Sequence, residues 1–280
     1  MTATTSLSRP GAPLRRAATT LLAAAAVLLS ACTTTDTVET VAAPKAPDIG
    51  LYELRIYAAA DGKMDALNAR VRDHEIPLFR KHGMTPIAFF TPVVEPGKPA
   101  DNRLFYIMGY KDRAARDAAW MDFAKDQEWA KAYRASQADG ALTTSIATTL
   151  YTPTAYSPKL NLAPAKSPRI FEVRTYHANP GKLEYLHERF RDHTLDIFAK
   201  HGMTSVLYWR PEPGQAGMED RMTYLLAFPS VAARNEDWKA FSSDSEWVRV
   251  AADSNKDGPL LTQNGVVSVL LKPTAYSPLK

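Results

Sequence analysis

Tyr52-Glu53-Leu54-Arg55-Ile56-Tyr57 is written a second time, 119 residues later, as Phe171-Glu172-Val173-Arg174-Thr175-Tyr176. The agreement spreads outward from this pair. Gly62-Lys63 returns as Gly181-Lys182, Arg72-Asp73-His74 as Arg191-Asp192-His193, and Lys81-His82-Gly83-Met84-Thr85 as Lys200-His201-Gly202-Met203-Thr204. Over residues 52–85, 17 of 34 positions are identical at that offset. Farther on the offset becomes 118: Tyr106, Trp120, Phe123 and Trp129 correspond to Tyr224, Trp238, Phe241 and Trp247. Both copies end in Thr-Ala-Tyr-Ser-Pro, at 154–158 and 274–278. A period near 120 residues is too long for a solenoid, so each copy is a domain. The copies are residues 50–158 and 169–280, joined by a proline-rich linker at 159–168.

Each copy reads β-α-β-β-α-β. Residues 51–57 alternate and are rich in β-formers, which predicts a strand. Met64, Leu67, Val71 and Leu78 fall at helical spacing, and Gly83 closes that helix as a left-handed cap. Asn179-Pro180 reads as a helix start in copy two. Pro77 should kink the first helix, and Asp196 at the matching place should leave its counterpart straighter. Strands follow at 86–91 and 103–110, then a helical region over 112–138 broken near Asp126, then a strand at 143–151. Ser243-Asp244-Ser245-Glu246 has the pattern of a capping box. The fold class is therefore α+β, two tandem ferredoxin-like domains with helices on one face of an antiparallel sheet.

The faces of the first strand single out the candidate site. Leu54 and Ile56 share one face and should take the helices; Glu53, Arg55 and Tyr57 share the other, as do Glu172, Arg174 and Tyr176. If the sheets pack against each other, those charges become interior and must be paired. Two readings follow: a charge network that sets how the sheets pack, or a lumen whose arginines recognise a polar or anionic ligand. His74 and His193 continue the apolar stripe of the first helix and read first as core histidines; together with Tyr57 and Tyr176 they are the weak candidates for catalysis. His82 and His201 precede the capping glycine, where the helix end favours a cation. No metal site is expected, because no histidine pair has ligand spacing. The Trp and Phe residues of the second helix fall at core-like spacing.

The chain has 280 residues, one cysteine and a formal net charge of +4. Arg9, Arg15 and Arg16 precede the short apolar run 17–29, which ends in Leu29-Ser30-Ala31-Cys32 with no acidic residue before it. The run falls short of the ~20 apolar residues a bilayer span needs. It resembles a bacterial lipoprotein signal over residues 1–31, with the Cys32 thiol as the acyl attachment point and 32–49 as a flexible tether. Acyl chains contribute about 0.8 kcal/mol per buried CH₂, so two or three hold a protein on a membrane. Thr33, where an Asp would favour the inner membrane, points by the same resemblance to the outer membrane of a Gram-negative-type cell envelope, facing the periplasm. Without residues 1–31 the chain carries 31 basic and 30 acidic residues, so the basic balance belongs to the signal. No basic stripe interleaves with aromatics, and no nucleic acid partner is expected.

The repeated Tyr-Glu-Leu-Arg-x-Tyr strand, the helix ending in His-Gly-Met, Arg116/Trp120 with Arg234/Trp238, the Asp-x-Glu-Trp at 126–129 and 244–247, and the closing Tyr-Ser-Pro resemble the NIPSNAP family over both copies. The resemblance implies the dimeric α+β barrel superfamily, here with both sheets supplied by one chain as an intramolecular pseudo-dimer. It also implies that the Glu/Arg/Tyr face lines the barrel. It implies no settled reaction. The expected function is non-catalytic binding of a small or lipid-like molecule or a partner, by a monomer or homodimer and without a cofactor. The alternatives are an oxygen-using or haem-linked enzyme of the same superfamily, and a structural interaction protein of the envelope. Because the second helix lacks histidine in both copies, a haem ligand would have to come from the first helix or its end.

Overall fold

A computed structural model describes residues 48–280 except 95, 96, 98, 164 and 166. The signal segment, Cys32 and nearly all of the tether lie outside the described residues.

Copy one runs β1 (Leu51–Ala59), α1 (Met64–Arg70), α2 (Ile76–Lys81), β2 (Thr85–Pro92), β3 (Arg103–Tyr110), α3 (Arg113–Lys125), α4 (Gln127–Ser136) and β4 (Thr143–Pro153). Copy two repeats this as β5 (Ile170–Ala178), α5 (Leu183–Arg189), α6 (Leu195–Lys200), β6 (Thr204–Pro211), β7 (Arg221–Phe228), α7 (Val231–Ser243), α8 (Ser245–Ser254) and β8 (Leu261–Pro273). The strands close into a barrel in the order β1-β3-β2-β8-β5-β7-β6-β4. The two sheets meet at short antiparallel seams. Phe90, Thr91 and Pro92 pair with Pro273, Lys272 and Leu271 at one; Tyr151, Thr152 and Pro153 pair with Pro211, Arg210 and Trp209 at the other.

The strand faces are the reverse of the sequence expectation. Tyr52 and Leu54 join Phe105, Ile107, Phe171, Val173, Trp209 and Leu225 in a cluster drawn from the strands of both copies, with no helix residue. This is the barrel interior. Tyr57, in contrast, packs with Leu67, Val71, Phe79 and Phe123 from the helices, and Tyr176 packs likewise with Leu186, Phe190 and Phe198. Glu53, Arg55 and Tyr57 therefore lie between sheet and helices, not in the lumen. The lumen is closed by aromatic packing: Tyr52 and Tyr151 each lie 5.4 Å from Trp209, and Phe90 lies 4.8 Å from Phe171. The physical reason is symmetric. The barrel is built from two equivalent faces, and an apolar face can meet its counterpart without partners. Charges need donors on another element, and here the helices supply them.

The first helix of each copy departs from α geometry. Val71–Glu75 and Phe190–Thr194 are π-helical turns that join α1 to α2 and α5 to α6. A π turn inserts one residue, so the apolar stripe Leu67, Val71 resumes at Ile76 and Phe79 rather than at residue 74. His74 and His193 are thereby turned to solvent instead of into the core. Copy two contains the π turn without a proline, so Pro77 is not its cause, and both helices are interrupted at the matching place. Gly83 and Gly202 have φ of 75° and 78° and end these helices in the left-handed conformation as expected. Asn179 does not cap α5, which starts at Leu183; its amide bonds the Pro259 and Leu261 carbonyls instead. The break at Asp126 is real, and both Asp126 and Asp244 are N-caps, accepting from the amides two and three residues on. The box centred on Ser243 is thus replaced by an Asp244 cap, with Ser243 finishing α7.

Each closing Thr-Ala-Tyr-Ser-Pro crosses to the other copy. Ser157 Oγ accepts from the Tyr208 amide and Tyr156 Oη lies 2.6 Å from His187 Nδ1. Reciprocally, Ser277 Oγ accepts from the Phe89 amide and Tyr276 Oη donates to Asn68 Oδ1.

Candidate functional site

Glu53 has no exposed surface and receives five donors. Arg55 Nη1 (2.9 Å) and Arg116 Nη2 (2.8 Å) reach one oxygen; Tyr110 Oη (2.9 Å), Arg116 Nε (3.1 Å) and Trp120 Nε1 (2.8 Å) reach the other. Burial alone would raise its pKa, but the Arg116 bonds and the Arg55 charge overcome that and hold it below the usual range. Glu172 repeats the arrangement with Arg174, Arg234 and Trp238, and Ser268 stands in for the tyrosine, whose counterpart is Phe228. Its pKa falls to about 2, because the bonds from Arg234 and Ser268 and the charge of Arg174 outweigh burial. A carboxylate offers about four lone-pair sites, so both are saturated. These carboxylates fasten α3 and α7 to the sheet.

The arginines and tyrosines retain more freedom. Arg55 lies 4.5 Å from the Trp120 ring and Arg174 lies 4.2 Å from Trp238, a close cation–π stack in each copy. Their Nη2 atoms approach the Tyr57 and Tyr176 hydroxyls at 3.5 and 3.4 Å. Each hydroxyl also accepts from a second tyrosine, Tyr106 (2.7 Å) or Tyr224 (2.8 Å). Nε of both arginines is buried without a partner among the described residues.

The fold does not gather the four weak catalytic candidates. Tyr57 and Tyr176 are buried under the helices, whereas His74 and His193 are exposed. His82 and His201 sit at their helix ends but bond Asp126 Oδ2 (2.7 Å) and Asp244 Oδ2 (2.8 Å), so they join α2 to α4 and α6 to α8. Arg116, Trp120, Arg234 and Trp238 were legible only as markers and packing. Their four-residue spacing, which places cation and indole on one helix face, is the signal that carried their role. Sequence reasoning missed Arg70, Glu75, His187 and Arg189, all buried. Arg70 and Arg189 are identical across the copies, but nothing in the sequence marks either as interior.

The NIPSNAP family model matches residues 52–158 and 171–278. The chain belongs to the NIPSNAP family. No curated protein matches this NIPSNAP chain. Among solved structures it resembles a "putative monooxygenase" from Lactobacillus acidophilus NCFM, with a TM-score of 0.51 at 6% identity over 80% of this chain and 93% of that one. It also resembles a NIPSNAP protein of Agrobacterium tumefaciens C58, at 24% identity over 39% of this chain and 96% of that one, with a TM-score of 0.33. The first of these likenesses concerns the fold alone.

Among the described residues, copy two of this NIPSNAP barrel borders cavities of three sizes. One of 840 Å³ adjoins the Glu184–Arg210 ion pair, one of 430 Å³ lies beside Arg169 and Ser205, and one of 570 Å³ runs between α5 and α8 past Arg189.

Proposed function

We propose that this protein is exported, lipid-anchored through Cys32 at the outer membrane facing the periplasm, and binds a small, lipid-like acidic molecule rather than transforming one. The reading rests on one observation above others. In each copy a buried guanidinium, Arg55 or Arg174, keeps an unpartnered Nε while it faces a pair of tyrosine hydroxyls. Buried N–H groups that lack partners are uncommon, and an acceptor on a ligand supplies one. The site therefore lies under the helices and not in the aromatic lumen. The separation of His74 and His193 from Tyr57 and Tyr176 favours binding over acid–base chemistry. It also leaves a haem-linked reaction poorly served. His74 and His193 are exposed, and the buried His187 is engaged by Tyr156.

Native mass spectrometry with an absorption spectrum of the protein isolated from cell envelopes tests this. The expected result is a colourless protein carrying a bound acidic molecule, lost in Arg55→Ala/Arg174→Ala. A clean apoprotein mass, or a molecule retained at full occupancy in the double variant, would overturn the reading. Cys32→Ala should move the protein from the membrane to the soluble periplasmic fraction.

A further inference from the structure

The two copies differ where a buried arginine needs an anion. Arg70 and Arg189 occupy matching positions at the ends of α1 and α5, with 5% and 7% of their surface exposed. In copy one, Arg70 Nε donates to Glu75 Oε1 at 2.8 Å, and the guanidinium lies 5.6 Å from both Trp129 and Tyr133. In a regular α-helix, residues five apart point roughly 140° away from each other. The π turn brings these two together.

Copy two keeps the arginine with its tryptophan and serine partners, Trp247 and Ser254 for Trp129 and Ser136, and removes the carboxylate and the tyrosine. Thr194 replaces Glu75, and its hydroxyl is turned to the Arg189 carbonyl at 3.0 Å. Ala251 replaces Tyr133, and Phe190 replaces Val71. Arg189 Nη1 reaches Ser254 Oγ at 3.2 Å and the guanidinium stacks 5.2 Å from Trp247. Its Nε has no partner among the described residues. Arg189 also lines the 570 Å³ groove between α5 and α8, together with Tyr185, His193, Arg249, Val250 and Leu260. The acids on that groove are Glu188, Asp192, Asp253 and Asp257. Asp192 is committed to Arg191 at 2.7 and 2.8 Å, and none of the four is bonded to Arg189.

We infer that copy two binds a monocarboxylate with an apolar body in the α5–α8 groove, its carboxylate taking on Arg189 the place that Glu75 takes on Arg70. This site is distinct from the one at Arg55 and Arg174 and stands beside that reading, sharing with it only the chemistry of a buried guanidinium whose Nε has no acceptor among the described residues. A buried guanidinium without an anion is costly, and a carboxylate that accepts from it forms a strong, charge-assisted bond. Val250, Leu260 and the Tyr185 ring supply the apolar wall, and the groove volume falls within the range of small-molecule sites.

Calorimetric titration of the full-length protein with benzoate, and with neutral benzamide as its isostere, tests the assignment. Benzoate should bind one site per chain, at least tenfold tighter than benzamide. Thr194→Glu, which installs the carboxylate of copy one, should raise the melting temperature and weaken benzoate at least tenfold. Glu75→Thr should add a second, weaker site, and it serves as an independent check if Thr194→Glu does not fold. Equal binding of benzoate and benzamide, or benzoate binding unaffected by Thr194→Glu, would overturn the inference. If benzoate binds as expected but no acidic molecule co-purifies, this site stands and the reading at Arg55 and Arg174 falls; if a co-purified molecule is lost in Arg55→Ala/Arg174→Ala but benzoate does not bind, that reading survives alone.

Discussion

Glu53 and Glu172 have no exposed surface and hold two largely buried guanidiniums apiece, so their loss is felt as unpaired positive charge. Glu53→Gln should cost about 3 kcal/mol in urea unfolding, in the range seen when one partner of a buried ion pair is removed. The pH dependence separates two further groups. Glu172 has a folded value of about 2, below its unfolded 4.5, so its contribution is complete above pH 4.5 and is lost as pH falls toward 2. His187 falls from 6.5 to about 4, through burial first and then the nearby Arg210 charge. The unfolded chain takes up that proton first, so stability declines as pH falls from 6.5 to 4, by about 3 kcal/mol in all. His187→Asn, which copies Asn68 of the first repeat, should flatten this upper limb and leave the lower one; urea midpoints measured from pH 7 to 3 check both. At this scale the sequence showed which residues were unusual but not where they pointed. Glu53-x-Arg55 announces an interior charge pair, yet alternation cannot say which face meets the helices when both faces are buried. His74 shows the same limit, since an α period placed it inside and one π turn puts it outside.

The elements were more legible than their faces. Strand and helix positions, the break at Asp126 and the Gly83 and Gly202 caps all follow from local chemistry that the tertiary structure leaves alone. The π turns do not, because π geometry has no turn residue or periodicity to announce it; it is stabilised here by the Arg70–Glu75 pair and, in copy two, by Thr194 folding back on Arg189. Asp126 illustrates how one side chain joins elements. It caps α4 and also accepts from His82 and Lys81 at the end of α2. The hydrogen bonds from Lys81 and His82 hold its carboxyl well below the ordinary range. Asp126→Ala should therefore accelerate amide exchange at Glu128 and Trp129, and at the last turn of α2 as well, whereas loss of a cap alone would affect only α4. Asp244→Ala should do the same to α8 and α6.

The molecule is held closed by its ends. Two seams of three residue pairs each would be weak closures on their own, and the crossing tails reinforce them. Removing residues 274–280 takes away buried Leu279, the tilted ring contact of Tyr276 with Phe89 and the bonds to the Ile87 and Phe89 backbone. A loss of about 3–5 kcal/mol is expected from that burial and those hydrogen bonds. Tyr276→Phe, which loses only the bond to Asn68, should cost about 1 kcal/mol. Denaturant titration of both variants distinguishes a clasp from a passive tail. The repeated Tyr-Ser-Pro was visible in the sequence as punctuation; that it marks an exchange of arms requires the closed barrel.

Covalent fusion of the two copies has a consequence for what each can become. In a barrel made from two identical chains, every substitution is obeyed twice, and a mutation that empties one room empties the other. Here Glu75 and Thr194 occupy equivalent places, as do Tyr110 and Phe228, and each can be changed alone. One half can remain the self-sufficient wall while the other is released to recognise something outside the chain.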